Sequence, residues 1–592
     1  MSLEWWQKSV VYHVYLSSFK DSNNDGIGDI QGLISSLDYF VELNVSTLML
    51  SPFYPSPMKD NGYDIVDFTD IDPRYGNMDD FKEFMMQAKN RGMHILIDFV
   101  ANHTSDQHPW FLKSIEREEP YGDYYVWVDA APESNLNNPV PPNNWLSVFD
   151  YSAWTWNEKR QQFYLHQFLP EQPDLNFRNR KVREEMKKVL VFWLEKGVDG
   201  FRVDAVSHIF EDEQLRDEPV AEDSGAKKDE YRYLDHIYTK GMKENLDILI
   251  EWRQLLEEYA LVTGKSKILF VEATEEIQDI MCYYGSSSYK IADFPLNFEL
   301  YKITTDTTGK ELKENIESWL ENMPKGKLPN WVLSSHDYSR VNSRVGKTLG
   351  LSLYMITMIL PGLPFVYYGD ELGMLNGVID LEDIKDSYAL RTTPSNSRDP
   401  MRTPMQWNSE VNSGFTSHSK PWLPVCEDYE TVNVDEERKD PLSVLNTFKH
   451  LIKLRQEPSV LLGVLEYPLI NEQIFSCLRF LANVKCYLLL LNISSRPALV
   501  DLSKSQCTLL PSVACVEVIN KESLQQSQSS HSTKIIYDGE EPSPIGYAKN
   551  VAKGATNVLS ADNVYMKGNQ ICLENIFLRP KEALILSFIG KL

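Results

Sequence analysis

The sequence predicts an α/β fold in which eight parallel strands alternate with helices and close into a (β/α)8 barrel. Three observations carry this expectation. Between Val10 and Glu371, eight short runs are nearly continuous in apolar residues, as strands covered on both faces must be. Amphipathic segments with helical spacing separate them, such as MDDFKEFMMQAKNRG (78–92) and KVREEMKKVLVFWLEKG (181–197). Strand and helix patterns alternate instead of falling into separate blocks, which is the signature of a TIM barrel.

The runs are VVYHVYLSSF (10–19), STLMLSPF (46–53), HILIDFV (94–100), GFRVDAV (200–206), ILFVEA (268–273), IADFPL (291–296), NWVLSSHD (330–337) and LPFVYYGDE (363–371). One connection breaks the rhythm. About 80 residues rich in Pro, Asn and Trp, including APESNLNNPVPPNNW (131–145), separate the third run from the helix near Lys181. No ordinary βα loop is that long. An inserted subdomain over 104–178 is therefore expected at the strand C-terminal face, with the barrel itself made from 1–103 and 179–466. From about Tyr467 the pattern changes to short strands with turn signals (IFSCLRFL, CYLLLLNIS, VACVEVI, ICLENIFLRP, EALILSFIG), and an antiparallel β-domain is expected over 467–592. The acidic stretch 211–231 reads as a solvated surface loop.

Composition narrows the class. The chain has 592 residues, too many for one core, and its formal charge of −26 repels phosphate backbones and argues against nucleic-acid binding. A neutral small molecule is indifferent to that charge. Thirteen Trp and thirty Tyr suit a site where aromatic faces meet sugar C–H surfaces, although most of them are expected to fill cores. No apolar run is long enough for a transmembrane helix. The chain opens MSLEWWQKSVVYHVY on what reads as folded protein, without a signal-peptide pattern. Extracellular or cell-surface digestive placement is the expectation if a presequence precedes it, and cytoplasmic placement otherwise. Seven cysteines, an odd number, leave at least one unpaired, and sequons stand at Asn44 and Asn492.

Polar residues gather where the predicted barrel strands end. The third ends in Asp98, then Asn102 and His103; the fourth carries Arg202 and Asp204; the fifth ends in Glu272; the seventh ends in His336 and Asp337. All converge on the C-terminal face, where barrel active sites lie. Two carboxyls suffice for glycoside hydrolysis with retention, provided they stand about 5–5.5 Å apart, and neighbouring strands can supply that spacing. Arg202 lies two residues before Asp204, so strand alternation points both inward. A guanidinium there favours an ionised nucleophile. Glu272 follows the apolar ILFV, and partial burial suits an acid.

These same segments resemble the α-amylase superfamily, glycoside hydrolase family 13. DFVANH (98–103), GFRVDAV (200–206), FVEA (270–273) and SSHD (334–337) are similar to its four signature regions in order and spacing. QPDLN (172–176), RTPMQW (402–407) and YYGDELG (367–373) resemble its oligo-1,6-glucosidase-type subgroup, and 215–240 resembles insect maltases and sucrose hydrolases. The resemblance implies Asp204 as nucleophile, Glu272 as acid/base, and Asp337 as the carboxylate that holds two sugar hydroxyls. It places Arg202, His103 and His336 in the same subsite and Tyr63 against the glucose ring. It also implies that Asp64, paired with Arg402, closes the far end of the pocket, with Arg398 near the aglycone. A closed pocket implies exo-action on short α-glucosides such as sucrose or maltose, and the small Ala205 after the nucleophile favours these over α-1,6 linkages. Leu16, Ser17 and Ala101 depart from the subgroup's usual residues.

DSNNDGIGD (21–29) has side-chain oxygens at Asp21, Asn23, Asp25 and Asp29, with the Ile27 carbonyl and Gly26, in the alternate spacing of a calcium loop. A plain Asx/Gly turn is the other reading of these residues, since position twelve would be Gly32. The family resemblance favours a structural Ca²⁺ and implies no organic cofactor. Two further readings are open. Some relatives of this barrel are non-enzymatic heavy chains of amino-acid transporters, which carry a membrane helix and often an incomplete carboxylate triad. Others are transglycosylases or sucrose isomerases, which share the triad.

Overall fold

Each of the eight runs supplies a strand to one parallel sheet: β1 (Val11–Val14), β2 (Thr47–Leu50), β3 (His94–Phe99), β4 (Gly200–Val203), β5 (Ile268–Val271), β6 (Phe294–Pro295), β7 (Asn330–Trp331) and β8 (Leu363–Tyr367). The structure is a computed structural model that describes residues 3–132, 134, 139–286, 289–520 and 565–590. Hydrogen-bonded neighbours run in the order β7-β8-β1-β2-β3-β4-β5-β6. Every residue of β1, β2, β4, β5 and β8 is buried, the physical reason these runs carry no polar alternation.

The barrel is completed between β6 and β7 by a side chain. Both strands are short, and Pro295 has no N–H to give a ladder. Asn330 replaces it: its Nδ2 donates to the Pro295 carbonyl at 2.7 Å, and its Oδ1 accepts from the Asn297 N–H at 2.9 Å. At Gly200 a Cβ would stand 2.2 Å from Ile268 Cγ2. Only glycine allows β4 and β5 this close, and those strands carry Asp204 and Glu272.

Local signals bound the outer helices. Helix Met78–Asn90 starts on a capping box of Asn77 and Asp80. Helix Arg180–Lys196 is capped by Asn179 and stops at Gly197, whose φ of 98° is left-handed. Buried residues of both helices, among them Phe81, Phe84, Leu190 and Trp193, pack into the same core as the strands.

Between β3 and helix Arg180–Lys196, three antiparallel strands (Trp127–Val128, Trp154–Asn157, Gln162–Leu165) form a separate sheet over a small core of Trp145, Ala153, Trp154, Phe163 and Leu165. Residues 133 and 135–138 of the Pro/Asn-rich run lie outside the described residues. The C-terminal runs form an antiparallel sheet ordered Val464–Glu466, Ile474–Phe480, Lys485–Asn492, Ala583–Ile589, Val513–Ile519, Gln570–Cys572. Residues 521–564 of that segment lie outside the described residues.

One expectation is corrected. The stretch 211–231 is not simply a solvated loop. Glu218 is buried and accepts from Ile237 N, Tyr238 N and Thr239 Oγ1, while Asn144 and Trp145 of the inserted segment bond the carbonyls of Glu218 and Arg216. High charge density signalled solvent, but here a carboxylate serves as a local hub for backbone donors. The sequon at Asn492 is closed off, because its buried amide donates to the carbonyls of Arg496, Leu578 and Arg579. Asn44 is exposed.

Candidate active site

The site begins with the register of three neighbouring strands. Asp98 on β3 stands beside Arg202 on β4. Val203 pairs with Val271 on β5, so the next residues, Asp204 and Glu272, emerge side by side at the strand ends. Their backbones are one strand spacing apart, about 4.8 Å. Arg202 ties these groups together. Its Nη1 bonds Asp98 Oδ1 at 2.6 Å and Asp204 Oδ1 at 2.7 Å, and its Nη2 bonds Glu272 Oε2 at 2.7 Å.

The third carboxyl arrives from across the barrel. Asp337 follows β7, and its Oδ2 lies 2.9 Å from His336 Nε2. Its Oδ1 accepts from Arg398 Nη1 and Arg402 Nη2, both at 3.1 Å. Tyr63 OH links the two sides, donating to Asp98 Oδ2 at 3.0 Å and meeting His336 Nε2 at 2.8 Å, with its ring stacked on the imidazole. Asp98 is fully buried, whereas the Asp204, Glu272 and Asp337 side chains are 11%, 19% and 25% exposed. Asp98 is therefore a buried anchor for Arg202, and the other three can meet a ligand. They face a cavity of about 490 Å³, also lined by Asp60, Tyr63 and His103.

The electrostatics are unequal. Burial pushes the Asp337 carboxyl up, but His336, Arg398 and Arg402 outweigh it and hold the group well below the usual carboxylate range. Burial pushes Asp204 up; Arg202 opposes this, while Glu272, Asp98 and Asp337 add to it. Burial drives His103 down to about 4, leaving a neutral imidazole near pH 7.

One expected pair is not formed. Asp64 is buried inside its own turn, accepting from Ser56 Oγ, Lys59 N and Asp60 N at 2.8–3.0 Å, and burial raises it to about 6. Arg402 instead supports Asp337 and donates through Nε to the His336 carbonyl at 2.8 Å. The pair at the pocket is Asp60–Arg398, at 2.7 Å, and Asp386 grips the other edge of the same guanidinium. Asp60 was missed because both carboxyls sit in KDNGYD, and nothing in that hexapeptide says which one turns inward.

Gln172, the first residue of QPDLN, was also unassigned. Its Nε2 lies 3.1 Å from Asp60 Oδ2 and 3.0 Å from His103 Nε2, so it braces both. Asp174 of the same motif accepts from Asn102 Nδ2 and Gln167 Nε2, fastening the end of β3 to the inserted segment. Phe149 lies under the Arg398 guanidinium, 5.1 Å from ring centre to Cζ.

The 21–29 loop lies apart from this cavity. Asp21, Asn23, Asp25 and Asp29 all accept backbone N–H groups, and Gly26 turns the chain at φ 92°. The donors are all hard oxygens, which suit Ca²⁺ over zinc. Asn23 and Asp25 keep spare acceptor capacity, whereas Asp21 also takes the Thr416 hydroxyl. Among the described residues, no three His, Cys, Asp or Glu side chains converge as a metal cage.

A parallel barrel with three reachable carboxyls at its strand C-terminal face and a sugar-sized cavity defines a class, the carbohydrate-cleaving barrel enzymes. The chain belongs to the α-amylase family: the model of the alpha amylase catalytic domain matches residues 13–463. It is 41% identical over 502 residues to an α-glucosidase of Culex pipiens, covering 84% of this chain and 83% of that one. It is 42% identical over 452 residues to the human amino acid transporter heavy chain SLC3A1, covering 76% and 64%. Its fold superposes on the α-glucosyl transfer enzyme XgtA with a TM-score of 0.80 at 29% identity, covering 99% and 100% of the chains. The protein is a glycoside hydrolase.

Proposed function

We propose that the protein is a retaining, exo-acting α-glucosidase that hydrolyses short α-glucosides such as sucrose and maltose. The observation that carries this reading is the placement of Asp204 and Glu272, side by side on neighbouring strands and held by the two arms of Arg202. Such proximity suits attack by one carboxylate on the anomeric carbon while the other protonates the leaving oxygen. Asp204 takes the first role and Glu272 the second. Asp337, held ionised, accepts hydroxyls of the same glucose. The Asp60–Arg398 pair closes the non-reducing end, which restricts cleavage to terminal glucose. Tyr63, His103 and His336 complete the wall.

Retention is checked by NMR, following the anomer first released from 4-nitrophenyl α-glucoside, whose leaving group is not itself a glucose. α-Glucose is the expected product; β-glucose appearing first would overturn the mechanism. Products from sucrose, maltose, isomaltose and trehalose separate hydrolysis from transfer or isomerisation. Similarity to a transporter heavy chain does not favour a non-enzymatic role, because all three carboxyls line an accessible cavity.

Two further outcomes follow from the charges. Asp204 must be ionised to attack, and its carboxyl is raised. Activity is then lost as pH falls through that raised value, so the acidic limb of kcat/KM should lie above the ~3.9 of an ordinary aspartate. Arg398→Lys keeps the charge but loses the fork that serves Asp60, Asp337 and Asp386 at once. Its kcat/KM on maltose should fall about 10²-fold, the scale of a broken buried ion pair of ~3 kcal/mol.

A structural Ca²⁺ on Asp21, Asn23, Asp25, the Ile27 carbonyl and Asp29 belongs to the same proposal, supported by donor chemistry and spacing. Binding would displace the Thr416 hydroxyl from Asp21. Calcium at ~100 times its Kd should stabilise by about 2.7 kcal/mol, raising the Tm by a few degrees; Asp21→Ala should remove the response. We place the activity outside the cell, where dietary α-glucosides are met; assaying secreted fluid against cell lysate tests this. No helix among the described residues is long and apolar enough to cross a membrane.

A further inference from the structure

Behind the catalytic carboxyls, inside the barrel, lies a small chamber of about 30 Å³, enough for a water. It shares Glu272, His336 and Asp337 with the catalytic cavity. His13 on β1 and Arg202 on β4 also line it, among apolar side chains such as Met49 and Phe365. Resting on the α-glucosidase reading above, we infer that His13 is a positioning residue. Through a water held in this chamber, it keeps the proton of His336 on Nε2, where the imidazole grips Asp337.

The partners of each ring place the protons. Nε2 of His336 meets Asp337 Oδ2 at 2.9 Å and Tyr63 OH at 2.8 Å. The Tyr63 proton goes to Asp98, so both groups face Nε2 as acceptors and Nε2 must carry a proton. In a singly protonated ring Nδ1 is then an acceptor. It is buried and has no hydrogen-bond partner among the described residues, a costly state for a polar atom.

His13 has the same polarity. Ser51 Oγ donates to the Val14 carbonyl, so it accepts from His13 Nε2 at 3.2 Å, which leaves His13 Nδ1 as an acceptor. Burial, with His336 and Arg202 nearby, holds His13 well below the usual imidazole range, and the ring is neutral. The two rings cross edge-on, 5.3 Å between centres, and two bare Nδ1 atoms cannot bond each other. Arg202 Nε–H is a buried donor, also without a partner among the described residues. A water has two donors and two acceptor sites. It can donate to both Nδ1 atoms and accept from Arg202 Nε–H, about three bonds, as buried waters usually make.

The consequence falls on Asp337. Arg398 and Arg402 donate to it whatever their surroundings, because a guanidinium keeps its protons. Only the imidazole can withdraw its donor, by carrying the proton on Nδ1 instead. A water donating to Nδ1 blocks that tautomer, and His13 is the acceptor that takes the water's other proton.

The wild-type protein tests the water. NMR of isotopically labelled histidine, with His336 assigned by comparison with His336→Gln, should show a protonated Nε2 and a hydrogen-bonded, bare Nδ1. A high-resolution crystal structure should show a water within hydrogen-bonding distance of His13 and His336. A proton on Nδ1, or a dry chamber, would overturn the inference. Two variants test His13 itself. His13→Phe removes the acceptor, so kcat/KM on maltose should fall about tenfold, the scale of one hydrogen bond, and His336 should become a mixture of tautomers. His13→Gln offers an amide oxygen in place of Nδ1 and should stay within about twofold of the wild type. Unchanged His336 signals in His13→Phe refute the role, and so do equal losses in the two variants. If the wild-type protein hydrolyses no α-glucoside, the α-glucosidase reading fails, while the spectra and the chamber water still judge His13.

Discussion

Asp204→Asn should lower kcat on maltose by about 10⁴-fold or more, the scale on which loss of a covalent nucleophile acts. The amide keeps the shape of the side chain but cannot form the glucosyl ester. Arg202 retains Asp98 and Glu272 as partners, so its buried charge stays compensated. The Tm should not fall and should rise slightly, because Glu272, Asp98 and Asp337 crowd Asp204 with like charge. Steady-state kinetics and thermal unfolding on the same preparation check both halves. Wild-type turnover would remove Asp204 from the mechanism, and a large fall in Tm would make its role structural.

The second large effect separates the two carboxyls. Glu272→Gln cannot protonate a leaving alcohol, so kcat on maltose should fall about 10²–10⁴-fold. A 4-nitrophenyl α-glucoside leaves as a stabilised phenolate and needs little protonation. Its first step should survive, while the second slows because no base activates water. The expected signature is a burst of nitrophenol followed by a slow steady state. Asp204→Asn should show no burst on the same substrate. If the two variants gave identical traces, the division of roles between Asp204 and Glu272 would be wrong.

Much of this site was legible because it sits on strands. In a barrel strand, alternation decides which side chains face inward, and the strand end decides their height. Arg202 and Asp204 could therefore be placed from spacing alone, and Glu272 from the end of ILFV. The strand ends also brought His103, His336 and Asp337 to that face; the family resemblance added their roles and Tyr63, and all four line the same cavity. The loop residues were harder. Asp60 and Asp64 share one turn, and the resemblance favoured the wrong one. A loop side chain points where distant partners pull it: Arg398, 338 residues later in sequence, draws Asp60 into the pocket. The same holds for 211–231, whose charges read as solvent-facing until Glu218 had gathered the donors of 237–239 around itself.

By itself, the sequence determined that this chain folds as a (β/α)8 barrel and brings Asp204, Glu272 and Asp337 to one face. Period and strand-end position are local properties, and they suffice for groups carried on regular elements. Only the tertiary structure decided that Asp60 and Arg398 close the pocket, that the Asn330 side chain spans the gap between β6 and β7, and that His13 and His336 line one chamber behind the carboxyls. Each depends on contacts between segments far apart in the chain, where direction is set by packing and not by periodicity.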